Sequence, residues 1–136
     1  MSAAEAFFDT NVLLYLFSDD AAKADRVEEL LAAGGHISVQ VLNELANVAL
    51  RKLGFSWSEI RDASKQMRTM CRVAPLTVET HVLGIQVAER YRVSIYDGMI
   101  IASALLSGCR DLYSEDLQHG QVIGKRLTLR NPFSSI

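Results

Sequence analysis

The sequence predicts an α/β domain in which a parallel sheet of short strands carries helices on both faces. Two observations predict it. Short apolar runs alternate along the chain with longer segments whose apolar residues recur at helical spacing, the pattern of consecutive β–α units. And 136 residues, nearly half of them apolar, make one globular domain that buries about two-thirds of its unfolded surface. The sequence shows no internal repeat, low-complexity tract or linker, so residues 1–136 are read as a single domain.

The elements follow in order. Ala6-Phe7-Phe8 reads as a first buried strand. Asp9-Thr10-Asn11 breaks it, and residues 12–17 begin a helix. A second helix covers 23–33, with Ala24, Val27, Leu30 and Leu31 on one face, and Gly34-Gly35 stops it, as glycine beyond a helix end does. His36-Ile37-Ser38 is a second strand. The next helix, 39–53, has Val41, Leu45, Val48 and Lys52 along one stripe, and Gly54 ends it. Ser56-Trp57-Ser58-Glu59 fits a capping box, with Phe55 and Ile60 as its hydrophobic staple. Ile60, Ala63, Met67 and Met70 then recur at helical spacing. A strand is predicted over 73–76, with Pro75 at its end or at a sheet edge. Thr77 caps a helix to Arg90 with Val82, Ile85 and Ala88 turned inward. The segment 99–106 is apolar on every side, which predicts a helix buried in the middle of the domain. Gly108 ends it. Strands over 111–113 and 126–129 complete the sheet, and 131–136 is a short tail, ordered at first and then frayed.

Composition removes several function classes. Fourteen basic and sixteen acidic residues give a formal charge of −2, so any surface for a polyanion is a local patch. One such stripe is Arg61, Lys65, Arg68 and Arg72, read on one side of the fourth helix, most simply as a solvated face. Cys71 and Cys109, placed at helix ends, have no metal-binding spacing and read as reduced thiols. Met1-Ser2-Ala3-Ala4-Glu5 lacks the basic start of a secretory signal. No apolar run approaches the roughly 18 residues of a membrane span. A soluble, cytoplasmic protein without membrane contact is expected. His36, His81 and His119 show no zinc spacing, and there is no Gly-rich phosphate loop or nucleophile turn.

Four acids set in or beside apolar segments remain: Asp9, Glu44, Asp97 and Asp116. A buried carboxylate needs a partner, and four together would form a hard-cation site suited to metal-assisted chemistry on phosphates. Asp9 and Asp116 each follow a strand at the edge where ligands of open α/β sheets sit. Each acid also has a plainer reading. Asp9 is placed to cap the helix after it. Ser94 and Asp97 resemble a capping box at the start of the buried helix. Glu44 lies roughly 60–80° from its helix's apolar stripe, within reach of Arg51 or Lys52. Asp116 has Glu115 beside it, and either suits a solvated loop; Ser114 is placed to hydrogen-bond one of them.

Taken together, these residues resemble a family. Phe8-Asp9-Thr10-Asn11-Val12-Leu13 is similar to the opening motif of PIN-domain nucleases. Asn43-Glu44-Leu45, Tyr96-Asp97-Gly98-Met99-Ile100-Ile101-Ala102-Ser103-Ala104 and Ser114-Glu115-Asp116-Leu117 match the family's remaining motifs in order. The resemblance covers nearly the whole chain, and its size suits the compact VapC-type toxins of bacterial toxin–antitoxin pairs. It implies a three-layer α/β/α sandwich around a short-stranded parallel sheet. It also implies Mg²⁺- or Mn²⁺-dependent endoribonuclease activity, with Asp9, Glu44, Asp97 and Asp116 as catalytic and metal-binding acids. Thr10 or Asn11 would orient Asp9 or a water, and Ser114 would support the last acid, beside Glu115. The implied partners are an RNA substrate, a cognate antitoxin and a second copy of the chain. Alternatives are a PIN-domain enzyme of RNA maturation and a PIN-like module that binds without cleaving. Two other α/β readings fit less well. A haloacid-dehalogenase-type phosphatase wants a second Asp where Asn11 stands, and a receiver domain wants adjacent acids at the first strand.

Overall fold

A computed structural model describes residues 5–134. Six strands form one sheet in the order β3-β2-β1-β4-β6-β5: β1 Ala6–Phe8, β2 Gly35–Ser38, β3 Cys71–Ala74, β4 Asp111–Tyr113, β5 Val122–Ile123 and β6 Leu127–Arg130. All neighbours are parallel except β5 and β6. Six helices connect them: α1 Thr10–Leu13, continued by a 3-10 turn over Leu14–Phe17, then α2 Ala21–Ala32, α3 Val39–Arg51, α4 Trp57–Met70, α5 Val78–Tyr91 and α6 Ile95–Leu106. From β1 to β3 the chain steps outward one strand at a time. From β3 it crosses back over β2 and β1 to β4. Right-handed crossovers in opposite directions put α1–α4 on one face and α5–α6 on the other, the predicted three layers.

The sheet is covered on both sides, so its central strands are apolar throughout. Phe7, Phe8, Ile37, Leu112 and Leu129 are almost wholly buried. Helix α6 lies over this centre, and every residue from Ile100 to Leu105 is buried, as its uniformly apolar sequence requires. No helix of the described residues is long and apolar enough to cross a membrane.

The structure corrects the sequence reading at several points. The sheet is parallel as predicted through β3-β2-β1-β4-β6, and a further strand that the sequence did not show, β5, runs antiparallel along its edge. Strand β3 starts two residues before the predicted 73–76 and stops before Pro75, which has no N–H to continue the ladder. Cys71 lies at the end of α4, as read, and also opens β3, and Arg72 belongs to β3, not to the basic face of α4. Helix α6 begins at Ile95, one turn earlier than the apolar run.

Helix α5 is rotated from the expected setting. Thr80, Gly84 and Val87 face inward, while Val82 and Ile85 are about half exposed. The cause is the α5–α6 crossing. A side chain on Gly98 would collide with the Gly84 carbonyl and stand 3.1 Å from Ala88 Cβ. The smallest residues must lie at that contact, and the branched ones turn outward. Within the predicted tail the Pro132 carbonyl accepts from Arg26 Nε at 3.1 Å, and residues 135–136, where fraying was expected, lie outside the described residues. Residues 1–4, most of the start read as lacking a secretory signal, lie outside the described residues.

Candidate active site

The sheet's strand order reverses between β1 and β4, since the chain runs outward from β1 on one side and from β4 on the other. Such a switch leaves a crevice beyond the strands' carboxyl ends. Phe8 pairs with Tyr113, and the Asp9 N–H donates to the Tyr113 carbonyl at 3.0 Å. Asp9 and Ser114 are thus level at the two sides of that crevice.

Asp9 ends β1 in an extended conformation and caps α1. Its Oδ1 accepts from the Thr10 N–H at 2.7 Å, and its Oδ2 accepts from the Ser114 hydroxyl at 2.9 Å. The side chain is almost fully buried. Burial pushes its carboxyl up to about 6, against the pull of the Ser114 and Thr10 bonds and with the charges of Glu44 and Asp97 adding to the rise. The cap and the crevice acid are one residue: the plainer reading of Asp9 describes its backbone role and leaves its charge uncompensated.

Glu44 projects from α3 beside the stripe formed by Val41, Leu45 and Ala49. The plainer alternative, an ion pair to Arg51 or Lys52, is not made. Its Oε1 instead accepts from the Thr10 hydroxyl at 2.7 Å and its Oε2 from Gln40 Nε2 at 3.3 Å. Asp97 lies in the first turn of α6, where the Ser94 hydroxyl accepts from its N–H at 3.0 Å. The carboxylate does not complete a capping box by binding the Ser94 N–H. Burial raises the Asp97 carboxyl above its ordinary range; the Ser94 hydroxyl opposes this, and the charges of Asp116 and Glu44 add to it. Asp116 is exposed, its N–H donating to the Ser114 hydroxyl oxygen at 3.2 Å.

All four acids line one open cavity of about 340 Å³, together with Thr10, Asn11, Leu14, Asn47 and Val48. Glu115 does not line it. Its carboxylate accepts from the Tyr15 hydroxyl at 2.6 Å and from Lys23 Nζ at 3.3 Å. Lys23 also sits over the rings of Tyr15 and Phe133, 4.7 and 4.9 Å from their centroids. Asn11 binds the same loop: its Oδ1 accepts from the Glu115 N–H at 3.2 Å and its Nδ2 donates to Ser114 Oγ at 3.3 Å. The supporting residues thus differ in what they hold. Thr10 serves Asp9 through its backbone and Glu44 through its hydroxyl. Asn11 holds the 114–115 turn and makes no bond to Asp9. Ser114 supports Asp9 with its proton and the backbone of Asp116 with its oxygen.

Sequence reasoning missed Gln40 and Asn47. Both carry a helical signal, one turn before and one turn after Glu44 on the same side of α3.

The site offers carboxylate oxygens, the hard donors that Mg²⁺ and Mn²⁺ prefer. Among the described residues none of the four acids is in a salt bridge. Nor do three or more of them converge closely enough to cage an ion. Mg²⁺ keeps several waters and needs only one or two protein carboxylates. The buried, mutually repelling Asp9 and Asp97 are the members most in need of positive charge.

An α/β domain with carboxylates from four separate elements gathered at its switch point defines the class. The PIN-domain family profile matches residues 6–124, and the chain belongs to that family. A search of the curated proteins found no match. Among solved structures, the chain is similar to one from a toxin–antitoxin complex of Klebsiella pneumoniae, with TM-score 0.72 and 18% identity over 94% of this chain and 98% of that one. It is similar to a chain of DNA-bound VapBC from Salmonella typhimurium, with TM-score 0.69 and 20% identity over 93% and 98%. It also resembles VapC20 of Mycobacterium tuberculosis, a toxin that cleaves the sarcin-ricin loop, with TM-score 0.64 and 21% identity over 79% and 86%. At these identities the likeness is one of fold.

Proposed function

We propose that the protein is a Mg²⁺- or Mn²⁺-dependent endoribonuclease and the toxin of a bacterial toxin–antitoxin module. The observation that carries this reading is the single cavity lined by Asp9, Glu44, Asp97 and Asp116, with no cationic side chain paired to any of them among the described residues. These four acids would hold the metal between them, not all by direct contact. When bound, it supplies positive charge for the phosphate oxygens and activates water at neutral pH. The chain's own groups do the placing. Thr10 and Gln40 fix the Glu44 carboxylate, Ser114 and the Thr10 N–H fix Asp9, and the bonds to Ser114 and Glu115 set the turn that carries Asp116. Asp116, the most exposed of the four, stands on the open side where an RNA strand would enter.

The toxin assignment is supported by the near-complete mutual coverage with the toxin–antitoxin chain from Klebsiella pneumoniae. It brings two partners, a cognate antitoxin and a second copy of this chain. The exposed Val78, Val82 and Ile85 of α5 support an apolar contact with another chain. The test is incubation of the purified protein with total RNA in Mg²⁺, Mn²⁺ or EDTA, beside Asp9→Asn and Asp97→Asn. Cleavage is expected only with metal and only in the wild type. Cleavage that survives EDTA and both substitutions would refute the mechanism. A small reading frame for a DNA-binding protein directly upstream would separate a toxin from an RNA-maturation enzyme.

A further inference from the structure

We propose that Gln40 is a positioning residue that holds Glu44 in register with Asp97, an inference that rests on the metal-site reading above. Gln40 lies in the first turn of α3 and is 9% exposed. A buried carboxamide must use its polar atoms. Its Nε2 donates twice, to Glu44 Oε2 at 3.3 Å and to the Tyr96 carbonyl at 3.1 Å. Tyr96 precedes Asp97 in the first turn of α6. One amide group therefore joins an acid on α3 to the backbone that carries an acid on α6, across opposite faces of the sheet.

The bond also completes the orientation of Glu44. The Thr10 hydroxyl holds Oε1 at 2.7 Å, so Gln40 fixes the second oxygen and with it the carboxylate plane. Each oxygen keeps a lone pair for a further ligand. Few other side chains would serve. Glutamate would set a second negative acceptor against Glu44, and methionine would fill the space without donating. Partners that orient metal-binding groups from behind are worth about 10–100-fold in metal affinity.

The test is calorimetric titration of Mn²⁺ into the full chain without RNA, for wild type, Gln40→Met, Glu44→Gln and the double variant, with metal-free melting recorded for each. Gln40→Met is expected to bind Mn²⁺ about 10–100-fold more weakly. In the Glu44→Gln background the same change should alter affinity by no more than about twofold, because a residue acting through Glu44 has nothing left to orient. Equal Mn²⁺ affinity in wild type and Gln40→Met would overturn the proposal. So would an equal loss in both backgrounds, which is what a merely structural role gives. If the methionine variant does not fold, Gln40→Asn, which keeps a buried amide but falls short of Glu44, is read in the same way. Wild-type protein that binds no Mn²⁺ would bring down the metal-site reading and this inference together. Wild-type binding that Glu44→Gln abolishes and Gln40→Met leaves intact would bring down this inference alone.

Discussion

Replacing Asp9 by asparagine should stabilise the metal-free protein at neutral pH. In the folded chain the Asp9 carboxyl is pushed from 3.8 up to about 6, chiefly by burial. Between those values the folded state holds a proton that the unfolded chain releases. The stabilisation from that proton is fully present below about pH 3.8 and is lost as pH rises through about 6. Above pH 6 the fold carries an ionised, buried carboxylate at a cost of about 3 kcal/mol, roughly two units at 1.36 kcal/mol each. Asparagine is never charged. Its carbonyl can still accept from the Thr10 N–H, while its amide must displace one of the two donors that Ser114 Oγ already accepts, Asn11 Nδ2 or the Asp116 N–H, which offsets part of the gain. At pH 7.5 in EDTA the variant should gain up to about 3 kcal/mol, and for a chain of this length that is up to about 10 °C in melting temperature. At pH 4 the gain should vanish. Thermal unfolding of both proteins from pH 4 to 8 reads this directly. A variant that melts at or below wild type at pH 7.5, or that differs equally at pH 4 and 7.5, would refute the reasoning.

Other consequences follow from the same geometry. Mg²⁺ or Mn²⁺ at about a hundred times its Kd should stabilise the wild type by about 2.7 kcal/mol and leave Asp9→Asn nearly unmoved; an unshifted wild-type melt at saturating metal would count against a shared site. Glu115→Gln should keep Mn²⁺ affinity within about twofold while Asp116→Asn weakens it, because the Glu115 carboxylate is engaged by Tyr15 and Lys23 rather than facing the cavity; titration calorimetry separates the two. Tyr15→Phe, which removes the hydroxyl from that cluster, should cost about 1 kcal/mol in urea unfolding. Gly98→Ala should cost about 1–3 kcal/mol, since its new methyl would meet the Gly84 carbonyl and force the α5–α6 crossing apart.

How much of this was legible in the sequence depended on whether the deciding contact was local. Asp9 and the 114–116 turn were readable because each directly follows an apolar strand, and parallel pairing of Phe8 with Tyr113 makes them neighbours. The residues themselves left Glu115 and Asp116 level, and only the family resemblance favoured Asp116. The choice is set by Tyr15, 100 residues away, which takes the Glu115 carboxylate out of the cavity. Gln40 was invisible for the same reason: a glutamine in an amphipathic helix reads as solvated, and what buries it is a bond to Tyr96, 56 residues on. The rotation of α5 could not be taken from hydrophobic spacing. Val82 and Ile85 make as good an apolar face as the observed one, and the tight Gly84–Gly98 contact decides between them. Strand β5 is two residues long, between Gly120 and Gly124, and owes its extended form to pairing with β6.

Asp9, Glu44, Asp97 and Asp116 are proposed to form one metal site. The most direct measurement is the anomalous scattering of manganese in crystals of the protein grown with Mn²⁺. A peak in the cavity, about 2.0–2.3 Å from carboxylate oxygens of Asp9 and at least one of Glu44, Asp97 and Asp116, with the remaining positions filled by water, is the predicted result. A cavity without manganese at saturating concentration, or manganese bound only elsewhere on the surface, would contradict it.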